Sequence, residues 1–188
     1  MDKKYTIEIA GLKRDLELFP VSGDTAIAAF IIFGDVELTC RCAEQLIKSA
    51  PEHDILITAE AKSIPLIHEM TRQLGRNKYV VARKSPKLYM ENILTVDVKS
   101  ITTGHKQILC IGDEEKELIK GKRVLIIDDV ISTGNSLEAI EELVTQAGGT
   151  VVGRMAVLAE GDAAERDDIT VLAPLPLFNL DGTVKKKG

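Results

Sequence analysis

The stretch Val124 to Ser136, VLIIDDVISTGNS, constrains this chain more than any other. Four consecutive apolar residues, Val124 to Ile127, suit a strand of a parallel sheet covered on both faces. Asp128 and Asp129 then fall at the carboxyl end of that strand, where open α/β sheets bind their ligands. Ser132, Thr133, Gly134, Asn135 and Ser136 follow, and from Leu137 the apolar positions Ile140, Leu143, Val144 and Ala147 recur at helical spacing until Gly148 and Gly149 stop the helix. A helix beginning on that turn offers unpaired backbone N–H groups and the positive end of its dipole, which together hold a phosphate. The Ser and Thr hydroxyls add donors, and Gly134 lets the backbone approach closely. The paired acids need their own reason, because a carboxylate beside a bound phosphate repels it. Ribose hydroxyls donate well to carboxylates, so a 5-phosphorylated ribose would put its phosphate in the turn and its 2- and 3-hydroxyls on Asp128 and Asp129. An ordinary strand-turn-helix can carry the same residue types as caps, but one helix needs only one cap.

The rest of the chain accommodates such a site. Its 188 residues, 45% apolar, suit one α/β domain with a proper core. The longest strongly apolar run, Ala26 to Phe33, is far short of a membrane span, and the opening MDKKYTIEIAG lacks the apolar stretch of a signal peptide, so a cytoplasmic protein is expected. Cys40, Cys42 and Cys110 have neither disulfide-framework nor zinc-site spacing and read as buried or half-buried thiols. A net charge of −5 argues against general binding of nucleic acid, so an anionic ligand must be held locally. The run Lys185 to Lys187 reads as a solvated tail. No G-x-x-x-x-G-K-[ST] pattern occurs, which weighs against a P-loop kinase.

Strands and helices alternate, as in a parallel sheet with helices on its faces. Val36 to Ser49 predicts a helix with Asp35 as its cap, Ile55 to Ala59 a strand, and Ser63 to Leu74 a second helix with Pro65 in its first turn. Tyr79 to Ala82 predicts the next strand. Ile93 to Val98 and Gln107 to Ile111 predict a hairpin-like excursion, and Val151 to Leu158 with Ile169 to Leu172 the last two strands. Ahead of these, Ile7, Ile9, Leu16, Leu18 and Val21 suggest short antiparallel strands outside the main sheet.

With its surroundings in view, Val124 to Ser136 resembles the thirteen-residue phosphoribosyl-pyrophosphate (PRPP) motif of the type I phosphoribosyltransferases. Asn135 stands where many members have Gly; its tolerance of left-handed backbone would keep the turn. Two further loops match at strand ends. Glu60-Ala61-Lys62-Ser63 is similar to the family's pyrophosphate loop, where helix amides and one cation neutralise a diphosphate, and the resemblance places a non-proline cis peptide at Ala61–Lys62. Arg83-Lys84-Ser85-Pro86-Lys87 is similar to the RK-containing segment of the purine branch. Read without the resemblance, the first is a helix entry with an incidental surface Lys and the second an exposed basic loop.

The resemblance implies a type I phosphoribosyltransferase fold: a mostly parallel twisted sheet flanked by helices, a core over residues 36–172, and a small hood from 1–34 and about 173–188, all in one domain. The purine branch is indicated, with likeness both to adenine members and to bacterial xanthine members. It implies catalytic roles for Asp128, Asp129, Lys62 and Arg83. PRPP would be bound by Glu60, Ala61, Lys62, Ser63, Arg83, Lys84, Lys87, Asp128, Asp129, Ser132, Thr133, Gly134, Asn135 and Ser136. Phe178 would stack on the base. Mg²⁺ would enter through PRPP with no direct protein ligand assigned, and a homodimer is expected. Tyr89 to Cys110 corresponds to the family's flexible loop, but its tip reads Thr102-Thr103-Gly104-His105 where adenine members carry Glu-Tyr-Gly-Thr. The base therefore stays open between adenine and a 6-oxopurine, and a non-catalytic PRPP-sensing regulator stays open beside the enzyme.

Overall fold

The computed structural model describes residues 3–98 and 107–185. A five-stranded parallel sheet forms its centre, built from β4 (Ile55–Ala59), β5 (Val80–Ala82), β8 (Arg123–Ile131), β9 (Thr150–Glu160) and β10 (Thr170–Leu175) in the spatial order β10-β9-β8-β4-β5. Strand β4 passes through a helix to β5 on one side, whereas β8 leads to β9 and β10 on the other. The chain direction across the sheet thus reverses between β4 and β8, and loops leaving their carboxyl ends diverge to open a crevice.

Both faces of the sheet are covered, which explains the uninterrupted apolar run of β8. Leu125 and Ile127 pack into one cluster with α1 (Val36–Ser49), α2 (Ile64–Gln73) and the N-terminal strands. Val124 and Ile126 pack into the other with α4 (Asn135–Gln146) and Ile119 of α3 (Asp113–Ile119). Helix α1 is capped as predicted, Asp35 Oδ1 accepting from Leu38 N at 3.0 Å. Helix α3 has no counterpart in the sequence reading: of its seven residues only Ile119 is buried, so no apolar period marks it.

Strand β8 is longer than its apolar run. The carboxyl half pairs with β9, Asp128 opposite Ala156, Val130 opposite Leu158 and Ile131 opposite Ala159, so the acids lie within the strand rather than beyond it. The excursion is a separate antiparallel ribbon of β6 (Leu94–Val98) and β7 (Gln107–Ile111), joined to the end of β5 by two backbone hydrogen bonds between Arg83 and Cys110, each 2.8 Å. The tip Thr102 to His105 lies outside the described residues.

The N-terminal strands β1 (Lys4–Ile9), β2 (Leu12–Pro20) and β3 (Ala26–Ala28) form an antiparallel sheet of their own, turning at Ala10 and Gly11, whose φ values are 52° and 80°. The chain's last described stretch returns to this sheet: Phe178 exchanges both backbone hydrogen bonds with Ala26. Lys185 is not the solvated residue expected, since its Nζ donates to Asp24 Oδ2 at 2.9 Å and Thr25 Oγ1 at 2.6 Å; Lys186 and Lys187 lie outside the described residues. Cys42 and Cys110 are buried and Cys40 half-buried, all as free thiols. Among the described residues no helix is long and apolar enough to cross a membrane.

Candidate active site

A cleft of about 360 Å³ opens at the carboxyl ends of β4 and β8. It is lined by Glu60 to Ser63, Lys84, Asp128, Asp129 and Ser136, with Gln107 to Leu109 of the ribbon as a wall the sequence reading did not identify. Ser63 is the residue that binds the loops together. It precedes α2, but its hydroxyl caps nothing; it donates to Asp128 Oδ1 at 2.8 Å and lies 3.3 Å from Asp129 Oδ1. Asp128 Oδ1 also accepts from the Asp129 amide at 2.8 Å, which fixes the orientation of the carboxylate.

Lys62 extends from the same loop, half-exposed, and places its Nζ 2.8 Å from Oδ2 of the buried Asp129. Loss of water, then the neighbouring Asp129, holds the Asp128 carboxyl well above the usual carboxylate range, while the Ser63 hydroxyl pulls the other way. Glu160, half-buried at the end of β9, is likewise pushed up by burial and opposed by Lys62. No sequence signal marked Glu160, which comes within electrostatic range of Lys62 only because β9 runs alongside β8.

Glu60 joins the two cation loops. Its amide donates to Ala82 O at 2.8 Å, its Oε2 accepts from Lys84 N at 3.0 Å, and its Oε1 lies 3.4 Å from Arg83 Nη2. The Lys84 amide draws the Glu60 carboxyl below its ordinary range. The cis peptide is Glu60–Ala61, one residue earlier than the resemblance implied. Arg83 and Lys87 do not line the cleft: Lys87 Nζ donates to Ser85 Oγ at 2.9 Å.

Ser132 to Ser136 curve around a small hollow between β8 and α4. The left-handed residue is Gly134, with φ 82° and ψ 0°, and it offers α4 no side-chain cap, so the first amides of the helix face the hollow without a competing acceptor. Asn135 is the first helical residue and not a left-handed one, so its tolerance of that conformation is not used. Phe178 is also corrected. It is 1% exposed, packed against Tyr5 at a ring separation of 4.9 Å, and presents no free face to a base.

Among the described residues no group of three or more His, Cys, Asp and Glu could enclose a metal. Asp128 and Asp129 are hard oxygen donors of the type Mg²⁺ takes from a protein when phosphates and water complete its shell. The arrangement can therefore hold a ribose by its hydroxyls, a monophosphate on the α4 turn and a diphosphate beside Lys62 and Lys84.

Residues 38–175 match the phosphoribosyl transferase domain family. An adenine phosphoribosyltransferase of Thermotoga petrophila is 31% identical over 156 residues, covering 78% of this chain and 84% of its own. One of Mycobacterium tuberculosis is 28% identical over 172 residues, 92% of this chain and 77% of its own. The crystal structure of adenine phosphoribosyltransferase from Saccharomyces cerevisiae, complexed with an imino-altritol bisphosphate and adenine, superposes with a TM-score of 0.63 at 20% identity, covering 91% of this chain and 92% of the other. That of Giardia lamblia, complexed with 9-deazaadenine, gives 0.64 at 18%, covering 91% and 93%. The fold is that of the type I phosphoribosyltransferases.

Proposed function

From the premise that this chain belongs to the phosphoribosyl transferase domain family, we propose that it transfers ribose 5-phosphate from PRPP to a purine base, adenine favoured, releasing pyrophosphate and forming a nucleoside monophosphate in purine salvage. One observation carries the reading: the Ser63 hydroxyl bridges Asp128 and Asp129, so the pyrophosphate loop and the ribose-phosphate loop share one cleft. The named activity of the relatives supports adenine as acceptor.

In this reading Ser132 to Ser136 anchor the 5-phosphate on the α4 amides, and the 2- and 3-hydroxyls donate to Asp128 and Asp129. The ion pair between Lys62 and Asp129 gives way as a ribose hydroxyl takes the carboxylate, which frees Lys62 to face the diphosphate. The bond from C1 to the diphosphate oxygen then breaks, its electron pair leaving with pyrophosphate, and a ring nitrogen of the base bonds to C1 as its N–H proton passes to the released pyrophosphate or to water. Lys62 and Lys84, with Arg83 behind them, stabilise the charge that grows on the leaving oxygens. Asp128 and Asp129 would be the protein oxygens offered to Mg²⁺, which when bound would neutralise charge on the diphosphate. The β6–β7 ribbon walls one side of the cleft and limits attack by water from that side. A homodimer accompanies this reading, in keeping with the exposed Leu88 and Tyr89 beside the Arg83 loop, as does a cytoplasmic location.

Incubation with PRPP, Mg²⁺ and, in turn, adenine, hypoxanthine, guanine, xanthine and orotate tests the proposal through pyrophosphate release. Fastest release with adenine is expected. Release with xanthine, hypoxanthine or guanine alone would move the acceptor to the 6-oxopurines. Tight PRPP binding without turnover of any base would make the protein a PRPP-sensing regulator.

A further inference from the structure

Behind the loop assigned to the 5-phosphate stands a guanidinium to which the mechanism gives no role. Beyond β9 the chain turns through a short 3-10 helix, Gly161–Glu165, whose Ala163 is buried in the same cluster as Ile131 and Leu137 on either side of that loop. Arg166 ends this turn, its amide donating to Ala163 O at 3.2 Å. Asp168 occupies one edge of the guanidinium, accepting from Nε at 2.8 Å and from Nη2 at 2.7 Å. A bidentate pair of this kind sets the plane of the guanidinium and not merely its position.

The opposite edge bears on Gly134. A Cβ built on Gly134 would stand 2.5 Å from Arg166 Nη1 and 3.7 Å from Cζ, so the guanidinium fills the space a side chain would take. Position 134 disfavours a side chain through its φ of 82°, and a Cβ there would in addition push the Arg166 guanidinium from its place. The ion pair is oriented with its carboxylate away from the loop and its cationic edge against it.

We propose that Arg166, held by Asp168, is a positioning residue for the ribose 5-phosphate: it keeps the Ser132–Ser136 loop in its anion-binding curve and sets positive charge behind it. This rests on the PRPP reading of the cleft. Arg166 lies behind the loop and not on the diphosphate side, so its influence is confined to one of the two phosphate groups of the substrate.

That confinement is the test. Binding of PRPP, ribose 5-phosphate and pyrophosphate, each with Mg²⁺, is measured by titration calorimetry on the full chain, its R166A variant and its D168N variant, together with steady-state kinetics. R166A is expected to weaken PRPP and ribose 5-phosphate about tenfold, the scale of one charge-assisted contact. Pyrophosphate affinity should stay unchanged, and KM for PRPP should rise while kcat at saturation holds. D168N keeps the guanidinium but releases its plane, and should show the same selective loss to a smaller degree. Unchanged 5-phosphate affinity in both variants, or an equal loss for pyrophosphate, would overturn the role. If R166A fails to fold, D168N decides alone, wild-type affinity for ribose 5-phosphate refuting the proposal. Failure of the unmodified protein to bind PRPP would refute the PRPP reading itself, a result distinct from any of these.

Discussion

The hydroxyl of Ser63 holds two carboxylates in place, and the ligand-free protein bears the consequence of keeping those acids together. Asp128 is protonated more readily in the folded chain than in the unfolded one, through loss of water and the adjacent Asp129. Where a folded carboxyl binds its proton more tightly, stability falls as pH rises from the ordinary carboxylate range, about 4, through the raised folded value. Asp128→Asn removes that titration and can keep Oδ1 as acceptor for Ser63 and for the Asp129 amide. The variant should melt a few degrees higher than the unmodified protein at pH 8, with the difference vanishing near pH 4, on a scale of about 2–4 °C per kcal/mol for a chain of this size. The same variant combined with Asp129→Asn should lose PRPP binding, measured by calorimetry. A lower melting temperature at pH 8 would show that the acid pair stabilises the fold, contrary to the proposed role of a ribose acceptor held at the expense of stability.

At the scale of the elements, the helices start where local chemistry tells them to, and the strands end where their neighbours do. Asp35 caps α1 and also receives Arg14 through Nε at 2.6 Å, both signals tied to residues near the helix start or facing it. Arg14, before the Leu38 amide, draws the Asp35 carboxyl below its ordinary range against the effect of burial. A depressed folded value contributes stability that is fully present above the ordinary carboxylate range and is lost as pH falls through the folded value. Asp35→Ala should cost about 1–2 kcal/mol at pH 7, as other cap removals do. Urea unfolding at pH 7 and at pH 3 checks this, the gap between variant and unmodified chain narrowing at the lower pH. Strand β8 behaves differently: VLII marks its start, but its continuation to Ile131 is imposed by β9. That continuation makes Asp128 and Asp129 rigid, since their backbone belongs to a sheet and not to a loop.

Across the whole molecule, the reversal between β4 and β8 brings residues 60–63 and 128–136 together, and the hood is closed by the far end of the chain. Phe178 bridges Ala26 by backbone hydrogen bonds and rests against Tyr5, so the N-terminal sheet is completed by a residue some 150 positions beyond its β3 strand. Phe178→Ala should lower stability by about 3–5 kcal/mol, as large core truncations do. Chemical denaturation measures the loss, and adenine KM measured in the same preparation separates packing from stacking. Unchanged stability with a raised KM would restore the ring to the base. Net charge also belongs to this scale: the chain carries −5 overall, yet Lys62, Arg83 and Lys84 gather at one end of the sheet, so positive charge there is a matter of placement rather than of composition.

The sequence by itself determined the apolar run of the central strand, the acids next to that run, the turn before α4 and the helices α1, α2 and α4. Each is written in short-range terms, an apolar run, a cap or a 3.6-residue period, and each survives whatever lies around it. Helix α3 escaped because it is short and buries one residue. Only the tertiary structure decided that Ser63 serves Asp128 and Asp129 instead of α2, that Glu60 ties Lys84 to the cleft, that Glu160 stands near Lys62, that Phe178 is core, and that Arg166 backs Gly134. Those relations join residues between 24 and 152 positions apart in the case of Glu60 with Lys84 and of Phe178 with Ala26. They depend on which strand edges meet, and strand pairing is set by the packing of the whole sheet, which no local pattern encodes.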